Sequence, residues 1–149
     1  MNSSNTGTDL LGAVIANLNN LILVGIFLAR ILRYPKVEYW LGVLFLLSIF
    51  PIAWMLYKSF SANTGTLYFI QLSLMMAFLI VEFILDYYLK IDFRHNRNIL
   101  IPYVTLFYAS LGGMIGVAGR CGKTWTIITV ITFLSVTIIS LIMHFKLER

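Results

Sequence analysis

Charge is what this sequence has least of. Asp, Glu, Lys and Arg make up 11% of its 149 residues, whereas a water-soluble domain carries roughly 25%. A chain so poor in charge cannot cover itself with a solvated surface. Cysteine is nearly absent: Cys121 alone excludes an internal disulfide framework and brings no second thiol to a metal. The stretch before Arg30 holds no Lys or Arg, so the basic leader of a secretory signal is not expected. Histidine is limited to His95 and His144. Both fall at one expected membrane face, but no ligand spacing supports a metal or haem site, and no cofactor is expected.

What is present is apolar: 60% hydrophobic residues and a mean hydropathy of +0.89. A membrane helix needs about 20 largely apolar residues, and five stretches qualify, approximately 10–32, 39–57, 67–89, 99–118 and 124–144. The expected fold is an all-α bundle of five transmembrane helices forming one domain over residues 1–149, with the lipid bilayer as its surroundings. The polar start, Met1 to Thr8, reads as a short frayed tail.

The net charge of +5 would suit nucleic acid if the basic residues formed a stripe. They collect instead between the apolar runs, so no nucleic-acid partner is expected. Arg30, Arg33, Lys36, Lys90, Arg94, Arg97, Lys146 and Arg149 gather on one side, against Lys58, Arg120 and Lys123 on the other. The positive-inside bias then puts the N-terminus outside and the C-terminus in the cytoplasm, and the short loops without a targeting sequence suit a plasma membrane.

The fourth run admits a second reading. Pro102, Gly112, Gly113 and Gly116 would also suit a re-entrant segment, leaving four spans. Five are expected, because Pro102 falls in the first turn of the run, where proline costs little. Gly112 and Gly116 then form a G-x-x-x-G packing face. Just beyond, "GVAGRCGKT" (116–124) ends like a phosphate-binding loop. The pattern G-x-x-x-x-G-K-[ST] needs glycine at 117 and a strand before it; the residue is Val117 and an apolar run precedes. A tight basic turn is the reading, with no nucleotide.

The chemistry-bearing stretch is "VEFILDYYLKIDFR", residues 81–94. Gln71, Met75, Phe78, Glu82, Asp86 and Leu89 share one face of a helix. Polar groups on such a face meet neighbouring helices or a hydrated cavity, because lipid offers no partner. Counted from Leu89, Asp86 lies about 5 Å inside the boundary and Glu82 about 10 Å. Lys90 follows Asp86 by four residues, so an ion pair at the helix end is expected between them. Glu82 is too deep for that role. Keeping it charged costs about 2.5–3.5 kcal/mol, close to the roughly 3.7 kcal/mol for protonating it at pH 7. Glu82 is therefore expected to serve a protonation-linked role or bind a cation, or else to bond a hydroxyl or Asn on another helix.

Asn17 and Asn20 share a face of the first span and, with Gln71, complete the expected polar cavity. The fifth span brings hydroxyls from Thr126 to Ser140, which more often serve packing. Pro51 should bend the second span, with Ser48 near enough to help satisfy the freed carbonyl. Lys90, Arg94 and Arg97 could hold an anionic-lipid headgroup at the cytoplasmic face. Three functions follow. The first is binding or translocation of a small molecule, ion or lipid through a cavity containing Glu82 and Asp86, as a homo-oligomer if a full pathway is needed. The second is a non-catalytic accessory subunit of a larger membrane complex. The third is a lipid-modifying enzyme, although no paired-Asp metal motif or nucleophile-base arrangement supports it.

Overall fold

The computed structural model describes residues 3–147, with side chains from Thr6 to Lys146; Met1, Asn2, Glu148 and Arg149 lie outside the described residues. The chain forms α1 (Ser3–Ile31), α2 (Pro35–Leu47), α3 (Ile49–Ala62), α4 (Thr66–Glu82), α5 (Arg97–Gly119) and α6 (Lys123–Leu147). A π-helical turn over Phe83–Tyr88 extends α4, and a 3-10 turn over Phe93–His95 precedes α5. Among the described residues there is no strand. Among the described residues five helices are long and apolar enough to cross a membrane: Thr6–Ile31, Pro35–Ala62, Thr66–Tyr88, Arg97–Gly119 and Lys123–Lys146. Such segments close their backbone hydrogen bonds internally, which is what a medium without water demands.

α1 is the central helix, packing against α2, α5 and α6, while α4 packs against α3 and α5. Small residues let the neighbours approach it: Ala13 and Ala16 are fully enclosed, and a Cβ on Gly12 would come within 2.7 Å of Val117 and 2.8 Å of Met55. The outer faces carry exposed large apolar side chains such as Phe50, Phe60, Leu67 and Ile131, an exterior suited to lipid rather than water.

The second span is broken at Ser48 between α2 and α3. Pro51 has no N–H to give the Leu47 carbonyl, so the helix bends there. Ser48 does not repair that carbonyl, as the sequence suggested. Its hydroxyl donates to the Phe45 carbonyl at 2.7 Å and accepts from Asn19 at 3.2 Å.

Three further expectations change. The start of the chain is helical from Ser3 rather than frayed, because Asp9 in the early turns is held by Arg120 at 3.1 Å. α5 is, as the five-span reading expects, one uninterrupted helix of 23 residues. Asn96 caps it by accepting from the Asn98 N–H at 3.1 Å; the helix thus begins early enough to place Pro102 in its interior rather than its first turn. The glycine face also differs. Gly113 and Gly116 lie on Gln71 of α4, whereas nothing approaches Gly112 within 4 Å.

One end of the bundle is clasped by Arg120, which bonds Asp9 and the Thr64 carbonyl (3.1 Å) and sits 4.4 Å over the Tyr68 ring. The Gly-Lys-Thr stretch belongs to this end. It follows a helix and makes a tight turn through Gly122 at φ +136°, a conformation that favours glycine.

Candidate functional site

The opposite end carries the α1–α2 and α4–α5 connections, and the side chains that gather there form an open groove of about 740 Å³. Its walls come from α1 (Ile26, Arg30), α2 (Glu38, Tyr39, Gly42), the end of α4 with its π-helical turn (Glu82, Asp86, Tyr87) and the loop that follows (Lys90, Asp92, Arg94).

The π-helical turn sets this geometry. In it, the Leu89 N–H reaches back five residues to the Ile84 carbonyl, at 2.8 Å, which widens the turn. Lys90 then leaves the helix in the left-handed region at φ +50°. The four-residue register is lost, and the expected Asp86–Lys90 pair does not form. Asp86 instead bonds Arg94 at 3.0 Å. Burial of the Arg94 guanidinium opposes its charge, but the Asp86 carboxylate together with Tyr103 and Glu82 outweighs this and holds its pKa above the ordinary arginine value. On the facing wall Arg30 places Nε at 2.7 Å and Nη2 at 2.5 Å from one oxygen of Glu38. Both arginines are therefore matched to acids within the groove.

Glu82 is the exception. Its carboxylate accepts a hydrogen bond from the Tyr103 hydroxyl of α5, and among the described residues no basic side chain forms an ion pair with it. Tyr103 is positioned by ring contacts to Phe93 (4.7 Å) and Phe78 (5.6 Å). Phe78 lies one turn before Glu82 on α4 and belongs to the packed core. It packs on Phe45 and Phe107, and Leu72, Met75, Phe78 and Leu79 are fully enclosed. The polar stripe read from α4 is thus interrupted by packed core.

The expected site residues consequently separate. Glu82, Asp86, Lys90 and Arg94 come together in the groove. Gln71 does not; it packs against Gly113 and Gly116 in the other half of the bundle. Asn17 and Asn20 are buried between α1 and α6. Asn17 bonds the Ala13 carbonyl and Thr129 (both 2.9 Å) and accepts from Thr132 (3.1 Å), while Asn20 bonds Thr132 (2.9 Å). These contacts join helices and line no cavity with Glu82. Arg97 is exposed in the first turn of α5, outside the groove. His95 pairs with Asp92 at 3.1 Å, and His144 lies against Phe145. Among the described residues no group of three His, Cys, Asp or Glu side chains could hold a metal ion.

Sequence reasoning missed Tyr103, Glu38, Tyr87 and Gly42, and counted Arg30 only as an interfacial charge. An acid three residues past Pro35 in a basic connection was the available signal for Glu38. Nothing in the sequence distinguishes Tyr103 from the other tyrosines at span ends. Gly42 matters because a Cβ there would fall on the Tyr87 hydroxyl; without one, Tyr87 reaches across to the Tyr39 carbonyl at 3.5 Å. Comparison with protein-family models, curated proteins and solved structures returns no match.

Proposed function

We propose that this protein is a multi-pass membrane protein that binds a small ligand in the groove between α2 and the π-helical turn, with Glu82 as the recognising group. One observation carries the reading. The other two acids on the groove's inner walls are neutralised by arginines at 3.0 Å or less, while Glu82 faces the groove with only a neutral hydroxyl bonded to it. An ionisable side chain held in this way within a span marks a functional site by default. The enclosed core on α4 before Glu82, with Leu72, Met75, Phe78 and Leu79 fully buried, favours binding over translocation. The excess of basic residues at this end favours a groove open to the cytoplasm of a plasma membrane. With Arg94 matched to Asp86, Lys90 and Arg97 remain to attract anionic lipid.

The test is native mass spectrometry of the protein released from membranes in mild detergent. A small-molecule adduct is expected on the wild type and lost in Glu82→Gln, whose amide still accepts from Tyr103. The Tyr103 bond also favours a second reading, an accessory subunit in which Glu82 only joins helices. That reading predicts no adduct in either protein, an altered melting temperature in Glu82→Gln, and a copurifying protein partner.

A further inference from the structure

Tyr87 follows Glu82 by five residues, yet both line the groove. In an α-helix, at about 100° per residue, Tyr87 would stand about 140° around the axis from the acid. The wider π-helical turn over Phe83–Tyr88 closes that angle and brings the phenol ring to the side of the carboxylate. Gly42 completes the placement, since a Cβ there would fall on the Tyr87 hydroxyl. From the facing wall Tyr39 of α2 also lines the groove, its ring centroid 5.8 Å from that of Tyr87 and tilted by 45°. Two tyrosine rings and one carboxylate therefore share a single polar space. Among the described residues no lysine or arginine is stacked over Tyr39 or Tyr87, whereas Arg94 covers Phe93 and Arg120 covers Tyr68.

We infer, resting on the groove being a ligand site, that it takes a compact ammonium cation bearing N-methyl groups, its charge met by Glu82 and its methyls by the Tyr39 and Tyr87 rings. Arg30 is matched to Glu38 and Arg94 to Asp86, and Lys90 and Asp92 at the rim are of opposite sign. One negative charge remains, at Glu82, and it attracts a cation and repels an anion. The rings narrow the class further. An aromatic face is electron-rich and attracts a cation within about 6 Å of its centroid. Quaternary ammonium groups suit such faces best, because they have no N–H to satisfy and present only methyls. The same chemistry arrives as a free solute or as a lipid headgroup, and the open groove of about 740 Å³ has room for either.

Binding of choline to the full chain in phosphatidylglycerol nanodiscs tests this. Ethanolamine keeps the charge and lacks the methyls; dimethylbutanol, the neutral carbon isostere of choline, keeps the shape and lacks the charge. Choline is expected to bind roughly tenfold more tightly than the isostere and about threefold more tightly than ethanolamine. Glu82→Gln should abolish the preference for charge, and Tyr39→Leu and Tyr87→Leu the preference for methyls. Repeating the titration in phosphatidylcholine discs identifies the source: competition by the lipid assigns a headgroup, and undiminished binding assigns a free solute. Equal binding of choline and ethanolamine, unmoved by either tyrosine variant, would overturn the methylated class and leave Glu82 as a cation site. Equal binding of choline and its isostere, unmoved by Glu82→Gln, would overturn this inference and the ligand role of Glu82 together. Failure of choline to bind the wild type would overturn the inference; a Glu82-dependent adduct in the native mass spectrum would then preserve the groove as a ligand site. If Tyr87→Leu does not fold, Tyr39→Leu, at an exposed ring, and the wild-type comparison still decide the question.

Discussion

Replacing Tyr103 with phenylalanine removes one hydrogen-bond donor and little else. The ring stays between Phe93 and Phe78, at 4.7 and 5.6 Å, so that packing is retained. What is lost is the bond to the Glu82 carboxylate. A hydrogen bond to a charged group contributes about 1.5–3 kcal/mol, whereas interhelical polar pairs within membranes average about 0.6 kcal/mol and reach about 1.7. Glu82 is only half-buried and lines an open groove, so the lower range applies, and Tyr103→Phe should destabilise by about 1 kcal/mol. Glu82→Leu should destabilise too, by leaving the Tyr103 hydroxyl without its acceptor. The double variant, apolar on both sides, should recover part of the loss, because removing both partners costs less than stranding one. Reversible unfolding of all four proteins in mixed micelles gives the coupling directly. Strict additivity, within about 0.3 kcal/mol, would show that Tyr103 and Glu82 do not interact and would refute the account of what holds the carboxylate in place.

The glycines separate by surroundings. Gly12→Ala should cost about 1–3 kcal/mol, since its Cβ would press on Val117 and Met55; Gly112→Ala, with nothing within 4 Å, should be neutral or gain up to about 1 kcal/mol of helix propensity. Thermal melts of the two variants check this, and similar losses in both would contradict the packing described. Arg94→Gln removes the partner of Asp86 from a pair whose side chains are 39% and 20% exposed. A pair this open contributes roughly 0.2–1 kcal/mol, so the melting temperature should fall only slightly.

The number and placement of the long helices were legible because apolar run length alone determines them. The fifth expected run, 124–144, lies within the observed span Lys123–Lys146. Glu82 also stood out in the sequence, and the structure sets it in the groove bonded to Tyr103 rather than to a basic side chain. What the sequence concealed depends on the winding of the backbone. Four-residue spacing assigned Lys90 to Asp86, and a single π-helical turn reassigned that role to Arg94. Polarity alone put Asn17, Asn20 and Gln71 beside Glu82. All three instead serve helix contacts elsewhere, Asn17 and Asn20 on the threonines of α6 and Gln71 on the glycines of α5. The same limit hid Glu38, which lines the groove only when α2 is brought against the end of α4, and Tyr103, which reaches Glu82 only when α5 is.

The central claim is a groove open down to Glu82, with the α4 core before it enclosed. Reactivity of introduced thiols with a membrane-impermeant maleimide tests it most directly, using Glu82→Cys and Met75→Cys in a Cys121→Ser background reconstituted in vesicles. The groove predicts that the thiol at 82 is labelled from the end bearing Arg30 and Arg94, while the thiol at 75, enclosed at 0% exposure, is not. Protection of both positions, or equal labelling of both, would contradict it.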